Sequence, residues 1–268
     1  MMQQSESRVL SPEPELDRFD VISLDDLKNS DASLLNRKER KFLMRRDQFT
    51  DLLSGLGDSY RVLEVENAVM SRYSTEYYDT DSFLTYLQHH NGKASRHKLR
   101  VRHYASSDET YLEVKEKQNT GRTVKTRVQM DGYDDPSVLA EPDMEAFLAS
   151  DFPYDYRAFH PVLTTDYTRV TLVSRNHPER MTFDLGLTFH TDTKSYAFPE
   201  VVVGEIKHNC PLRESPAGVV LREMGIHDTS FSKYCMGVSL LYCGMKHNRF
   251  KPNLLLLDKL SAAGGAVC

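Results

Sequence analysis

Long apolar runs are missing from this 268-residue chain. Nothing approaches the roughly 18 consecutive apolar residues of a membrane-spanning helix, and Leu254 to Leu257 is far too short. The opening stretch, MMQQSESRVLSPEPELDRFD, lacks the apolar core of a secretory leader. Cysteine is scarce: Cys210, Cys235, Cys243 and Cys268 contain no CxxC pair and no metal-knuckle spacing, which excludes a zinc module. Without an export signal they read as reduced thiols that fill space, and the expected compartment is the cytoplasm. No internal repeat is visible. No aromatic-basic interleaving of a nucleic-acid module is present either, so nucleic acid is not an expected ligand.

With 40% hydrophobic and 27% charged residues, the composition is that of a soluble globular protein. The length suits one large β-rich domain or two small ones. Residues 1–32 are polar, acidic and broken by Pro12 and Pro14. They read as an N-terminal tail with one helical turn near Leu24 to Leu27. Residues 249–268 read as a C-terminal tail, docked or mobile. The folded domain is expected over 33–248.

The formal net charge is −5, yet Ser95 to Arg127 is densely basic. It reads as a three-stranded meander with period-two alternation. Arg96, Lys98, Arg100 and Arg102 share one face of the first strand. Tyr111, Glu113, Lys115 and Lys117 share a face of the second, and Thr123, Lys125, Arg127 and Gln129 a face of the third. Asn119-Thr120-Gly121 makes the second reversal. A solvated sheet face predicts mixed signs, because like charges directly opposite are destabilising. A mostly basic face on an acidic chain points to a polyanion.

The pattern recurs along the chain. Arg37 to Met44 predicts a strand with Arg37, Glu39 and Lys41 on one face, the last two about 7 Å apart. A helix follows, with Asp47 as its cap, Phe49, Leu52, Leu53 and Leu56 as its apolar stripe, and Gly55 and Gly57 as its stop. Strands near 60–67 and 72–78 lead to a short helix over 82–90, with Phe83, Leu84 and Leu87 inward. Asp135-Pro136 predicts another helix start, with Val138, Leu139, Phe147 and Leu148 buried and a break at Pro142. The strand 162–173 sets Leu163, Thr165, Tyr167, Arg169 and Thr171 together. The strand 180–189 groups Arg180, Thr182, Asp184 and Gly186. The strand 199–207 groups Val201, Val203, Glu205 and Lys207, so the Glu-x-Lys pattern of Glu39 and Lys41 appears twice. Two helices close the chain. The first starts at Ser215-Pro216, with Val219, Val220 and Met224 inside. The second starts at Ser230, with Phe231, Tyr234, Cys235 and Val238 inside. Lys233 then lies in the first turn of a helix, where a cation opposes the macrodipole.

About eight mostly antiparallel strands with helices between them define an α+β fold. Two architectures remain open: an open sandwich with one charged face in solvent, or a closed barrel with a polar lumen. A lumen lined by Arg100, Arg102, Lys115, Arg169 and Lys207 demands anions, water and metal to satisfy it.

The chain resembles the VTC domain of the triphosphate tunnel metalloenzyme superfamily, which includes the CYTH proteins. The resemblance spans about Arg37 to Tyr242. It rests on ERKF (39–42), YYDT (77–80), NGK (91–93), KLRVR (98–102), YLEVKEK (111–117), YTRV (167–170), RMTFDLGL (180–187), GEIK (204–207) and FSKY (231–234) in that order. It implies an eight-stranded antiparallel β-barrel tunnel with peripheral and C-terminal helices. It further implies a polyphosphate polymerase that moves the γ-phosphoryl group of ATP, or of another nucleoside triphosphate, onto polyphosphate or pyrophosphate with Mn²⁺ or Mg²⁺. Carried over by position, Lys41, Arg100, Arg102, Lys115, Arg169 and Lys233 match its phosphate-binding, catalytic cations. Lys207 lies in the same motif as the metal-binding glutamate, Glu205. Glu39 and Glu113 match tunnel carboxylates more loosely, and Lys125 and Arg127 are further cations of the lumen. Gly204 departs from the family, whose strands carry a larger apolar residue there. No segment corresponds to the inositol-pyrophosphate sensor domain or membrane region of eukaryotic polymerase subunits. Two other activities stay compatible with the motifs: a tunnel triphosphatase and a non-catalytic polyphosphate binder.

Overall fold

The computed structural model describes residues 14–29, 38–130, 141–209 and 211–262. In chain order the elements are β1 (Val21–Ser23), α1 (Leu24–Lys28), β2 (Lys38–Arg45), α2 (Arg46–Leu56), β3 (Tyr60–Glu64), β4 (Met70–Asp79) and α3 (Leu84–His90). They continue with β5 (Arg96–Tyr104), β6 (Glu109–Lys117), β7 (Thr123–Met130), α4 (Pro142–Asp151), β8 (His160–Ser174), β9 (Glu179–His190), β10 (Ser195–Phe198) and β11 (Val201–His208). The chain closes with α5 (Pro216–Glu223), β12 (Asp228–Thr229), α6 (Lys233–Leu241) and α7 (Lys251–Ala262).

This is an α+β fold around one large antiparallel sheet. Its main path is β12-β2-β11-β9-β8-β4-β5-β6-β7, with β10 on β9 and β3 on β8. The short β1 pairs with β3 in parallel. Eight long strands, β2 to β7 along that path, carry the alternation described above. No ladder joins β7 back to β2 among the described residues. The sheet is nevertheless strongly curled. Lys41 on β2 donates to the Phe231 carbonyl at 3.2 Å, and Lys98 on β5 donates to Ser232 Oγ at 2.7 Å. Strands near opposite ends of the path thus reach neighbouring residues of one short segment.

Alternation sorts the two faces. The outward residues Phe42, Met44, Val170, Leu172, Met181, Phe183 and Ile206 pack with Phe49, Leu52, Leu53 and Leu56 of α2 and with Ala217 and Leu221 of α5. Farther along, Leu99, Val101, Leu112 and Val114 pack with Met144 and Leu148 of α4. The inward face is apolar at one end, where Leu43, Leu163, Leu187, Phe189, Val201 and Val203 meet α6 and α7. The rest of that face is charged. Gly186, at φ +62°, accompanies a register shift between β8 and β9. The extra residue in β9 turns Leu187 and Phe189 inward beyond Asp184. Gly204 faces outward, and a Cβ there would lie 3.3 Å from Met44 Cε and 3.5 Å from Phe183. The small residue makes room for those two large ones.

Several expectations change. Residues 14–29 do not hang free: Leu16, Phe19, Ile22 and Leu27 are buried. At the other end, α7 docks through Leu257 and Leu260. The N-cap of α2 is Arg45, not Asp47, and Gly55 lies within the helix against Val220 while Gly57 ends it. In α3 Phe83, Leu84 and Leu87 are partly buried against the core as expected, and Thr85 and Tyr86 are fully buried beside them. The cause is Asp79, which accepts from the Thr85 and Tyr86 amides at 3.0 Å each and from Thr85 Oγ1 at 2.7 Å, fixing the helix's rotation. In α5 Val220 and Met224 pack against the core as expected, while the fully buried residues are Ala217, Gly218 and Leu221 rather than Val219. Pro142 starts α4 instead of breaking it, as Pro at the first helical position does. The helix start expected at Asp135-Pro136, with Val138 and Leu139, lies outside the described residues. Ser232, not Ser230, caps α6 by accepting from the Cys235 amide.

Candidate functional site

The charged half of the inward face gathers side chains from β2, β5, β6, β7, β8, β9 and β11 and from the start of α6. It is organised around three carboxylate centres.

Glu113 on β6 is fully buried. Its register partners are Arg100 on β5 and Arg127 on β7. Arg100 reaches it with Nη2 at 2.6 Å and Nε at 2.8 Å, Lys125 with Nζ at 2.7 Å, and Arg102 approaches to 3.7 Å. Burial pushes its carboxyl up, but Arg100, Arg102 and Lys125 outweigh this and hold it below the usual range. Arg102 also donates to Thr75 Oγ1 at 3.1 Å.

Asp184 on β9 lies opposite Arg169 on β8. The guanidinium grips it with two bonds, 2.6 and 2.9 Å, and Lys233 Nζ forms an ion pair with Asp184 Oδ2. Burial raises its pKa, but Arg169 and Lys233 prevail and hold it at about 2. Lys233 also sits 4.3 Å over the Tyr167 ring. This explains how a cation is tolerated in the first turn of α6: Asp184 offsets the unfavourable helix dipole.

The third centre joins both Glu-x-Lys pairs. β2 and β11 are antiparallel, with Lys41 opposite Glu205 and Glu39 opposite Lys207. Lys41 Nζ lies 3.2 Å from Glu39 and 3.7 Å from Glu205, and Lys207 Nζ lies 2.8 Å from Glu205. Burial lowers the Lys41 pKa, but Glu205 and Glu39 raise it above the ordinary value. Lys207 stays lowered by burial despite Glu205. Glu39 and Glu205 are both held low by the surrounding lysines, against burial.

Lys115 lies between these centres and, among the described residues, has no carboxylate within ion-pairing distance. Burial, opposed by Glu39 and Glu205 and reinforced by Lys41 and Arg100, brings its ammonium down to about 7. Lys98 is brought to about 8 by burial, with Lys41 and Arg100 adding to the effect. Among the described residues, these centres set nine cations, Lys41, Lys98, Arg100, Arg102, Lys115, Lys125, Arg169, Lys207 and Lys233, against the four carboxylates Glu39, Glu113, Asp184 and Glu205. A basin with that excess is built to receive negative charge.

Of the residues singled out from the sequence, Lys41, Arg100, Arg102, Lys115, Lys125, Arg169, Lys207, Lys233, Glu39, Glu113 and Glu205 converge here. Arg127 stands apart. It is exposed at the β7 edge and stacks 4.2 Å over the Tyr111 ring, without joining Glu113. Sequence reasoning gave no role to Asp184 or Lys98, although both lay on the correct face. It also missed Ser232 and the Phe231 carbonyl, the acceptors for Lys98 and Lys41. One surface cleft, about 400 Å³ and lined by Pro161, Val162, His190, Lys194 and Tyr242 among others, holds none of the basin's charged residues.

Among the described residues, no group of three or more His, Cys, Asp or Glu side chains could hold a metal ion by itself. Glu39 and Glu205 are close enough to influence one another. Two carboxylates completed by phosphate oxygens and water suit Mg²⁺ or Mn²⁺, which rarely need a full protein cage. The donor set therefore fits such an ion. Glu113 does not join that pair: Arg100 and Lys125 engage its two oxygens.

Comparison with known structures locates the fold. A candidate adenylate cyclase from Bacillus halodurans aligns over 77% of this chain and 97% of its own, with 14% identity and a TM-score of 0.50. A candidate adenylyl cyclase from Hippeastrum with a dominant triphosphatase activity aligns over 78% of this chain and 100% of its own, with 15% identity and a TM-score of 0.47. A Pyrococcus horikoshii protein aligns over 76% and 99%, with 12% identity and a TM-score of 0.43. At such identities the likeness is one of fold. No curated protein sequence matches the chain significantly. The sequence itself matches the VTC domain over residues 36–242, and with most of its length inside that match the chain belongs to the VTC domain family.

Proposed function

We propose that this protein is a metal-dependent polyphosphate polymerase, whose sheet closes into an eight-stranded tunnel around the growing chain. The observation that carries the reading is the uncompensated excess of buried cations. Arg100, Arg102 and Arg169 offer forked donors to phosphate oxygens, while Lys41, Lys115 and Lys233 offer point charges. Phosphoryl transfer depends mainly on positioning and neutralisation, which such a basin supplies. Glu39 and Glu205 are the residues that would hold Mn²⁺ or Mg²⁺. When bound, the ion neutralises charge on the transferring group.

The carboxylates favour transfer to phosphate over hydrolysis. Glu39, Glu113, Asp184 and Glu205 are all ion-paired and all held below their ordinary pKa values. That makes each a poor general base for activating water. A terminal phosphate oxygen is already anionic and needs no base. Arg100 and Arg102 along β5, with Lys115 beside them on β6, would align donor and acceptor phosphates along one strand direction. Inorganic pyrophosphate or polyphosphate serves as the acceptor and a nucleoside triphosphate as the donor: the acceptor oxygen bonds to the γ-phosphorus, the bridging P–O bond to the β-phosphate breaks, and nucleoside diphosphate leaves.

The test is Glu205→Gln. It should abolish phosphoryl transfer, measured by loss of ATP with Mn²⁺ present, while polyphosphate still binds within about threefold of wild type by titration calorimetry. Retained turnover would remove Glu205 from the proposed machinery. Wild-type protein that binds polyphosphate but never consumes ATP would leave a binding module.

A further inference from the structure

Charge balance in the basin is uneven along its length. Toward Arg102 and Arg169, each cluster of cations has its carboxylate. Past Arg100 in the other direction this ends. Register sets Lys98 opposite Lys115 and Arg96 opposite Lys117, two like-charge pairs in succession on β5 and β6. Such pairs destabilise a sheet. Among the described residues, no carboxylate lies within ion-pairing distance of Arg96, Lys98, Lys117 or Arg249. His89, at the end of α3, shows how closely the four gather. Burial, followed by Lys98, Arg96, Arg249 and Lys117, pushes its imidazole down to about 2. Gly92, at φ +76°, leaves room for the remaining cation: a Cβ there would lie 2.5 Å from Arg249 Nη1.

Lys117 and Arg249 are exposed while Arg96 and Lys98 are half-buried, so the four run from the basin to its solvent edge. The Arg96 guanidinium donates to the Lys93 carbonyl at 2.9 Å, and Arg249 lies near enough to lower its pKa. From Arg100 to Arg96 the strand advances four residues, about 13 Å. A triphosphate seated on Arg100 and Arg102 ends short of that point, whereas a longer chain continues through it.

We infer that this end of the basin is a second anion site, in which Arg96, Lys117 and Arg249 hold phosphate residues of a linear polyphosphate beyond its first three. The inference rests on the polymerase reading above and adds where the polymer lies. The site distinguishes chain length, because only a long polyphosphate reaches it. It also relieves the repulsion between the cross-strand pairs.

The experiment compares two probes, tripolyphosphate and linear polyphosphate of several tens of residues, by titration calorimetry at two salt concentrations. The proteins are wild type, Arg96→Ala/Lys117→Ala/Arg249→Ala, and the milder Lys117→Ala/Arg249→Ala, which removes only exposed side chains. The expected result is a loss of about tenfold in long-chain affinity for the triple variant and about threefold for the double, with a shallower salt dependence. Tripolyphosphate affinity stays within twofold. Equal weakening of both probes, or no weakening of the long chain by either variant, overturns the second site. Wild-type protein that binds neither probe overturns the polymerase reading itself, a separate outcome.

Discussion

Asp184 shows what single residues decide here. It sits in RMTFDLGL as an unremarkable strand carboxylate, yet Arg169 and Lys233 both depend on it. Replacing it with Asn leaves two buried cations facing one another. Asp184→Asn should cost about 3 kcal/mol of stability by chemical denaturation, while tripolyphosphate binds as tightly or more tightly, since a competing anion is gone. Weaker binding would make Asp184 part of the ligand site. The Asp184 pKa is depressed, so its contribution is complete above the unfolded value near 4 and is lost as pH falls toward about 2. Lys115 works with the opposite sign. Its folded pKa of about 7 lies below the unfolded value, so between pH 7 and 10 the unfolded chain binds more protons and Lys115 favours the folded state more as pH rises. A bound polyanion draws that proton back. Tripolyphosphate binding at pH 8 should take up protons, seen as a buffer-dependent binding heat, and affinity should fall about tenfold from pH 7 to pH 10. Affinity that stays flat over that range would contradict the charge state assigned to Lys115. Most of these residues were legible from alternation alone. The roles of Asp184 and Lys98 were not, because they depend on which strands become neighbours.

The element that assembles the site is α6. Its first turn and the residues just before it give Lys233 to Asp184, Ser232 to Lys98 and the Phe231 carbonyl to Lys41. Tyr234 donates to Asp79, which also fixes α3. The helix can approach the sheet because Gly237 has no side chain: a Cβ would meet Phe189 at 2.9 Å and Leu163 at 3.0 Å. Gly237→Val should push α6 outward, lower the melting temperature by several degrees and weaken tripolyphosphate binding at least tenfold, although no charge is removed. Unchanged binding in a folded Gly237→Val protein would mean that the seat of α6 does not set the site. Helix existence was readable from sequence, but helix rotation was not. The most buried positions of α3 and α5 were missed because Asp79 and the close approach of Gly218 to Leu212 determine them. Gly186 likewise reverses the facing of Leu187 and Phe189 through a bulge that strict alternation does not anticipate.

At the scale of the whole molecule, an acidic chain turns a basic face inward. The outward face of the sheet is covered by α2, α4 and α5, and one end of the inward face is filled by α6 and α7. What remains is a basin with more cations than carboxylates. The eight strands, their order of motifs and the charged face were visible in the sequence. The packing of residues 14–29 and of α7 was not, because α1 is only five residues long and the leucines of α7 fall mostly in one run, Leu254 to Leu257, rather than at helical spacing. The central claim is that this basin builds polyphosphate. It is tested most directly by incubating the protein with ATP and Mn²⁺, resolving the products on a polyacrylamide gel stained for polyphosphate, and assaying free phosphate in parallel. A ladder of long polymer, absent with Arg100→Ala, is expected. Free phosphate without polymer would contradict it and identify a triphosphatase.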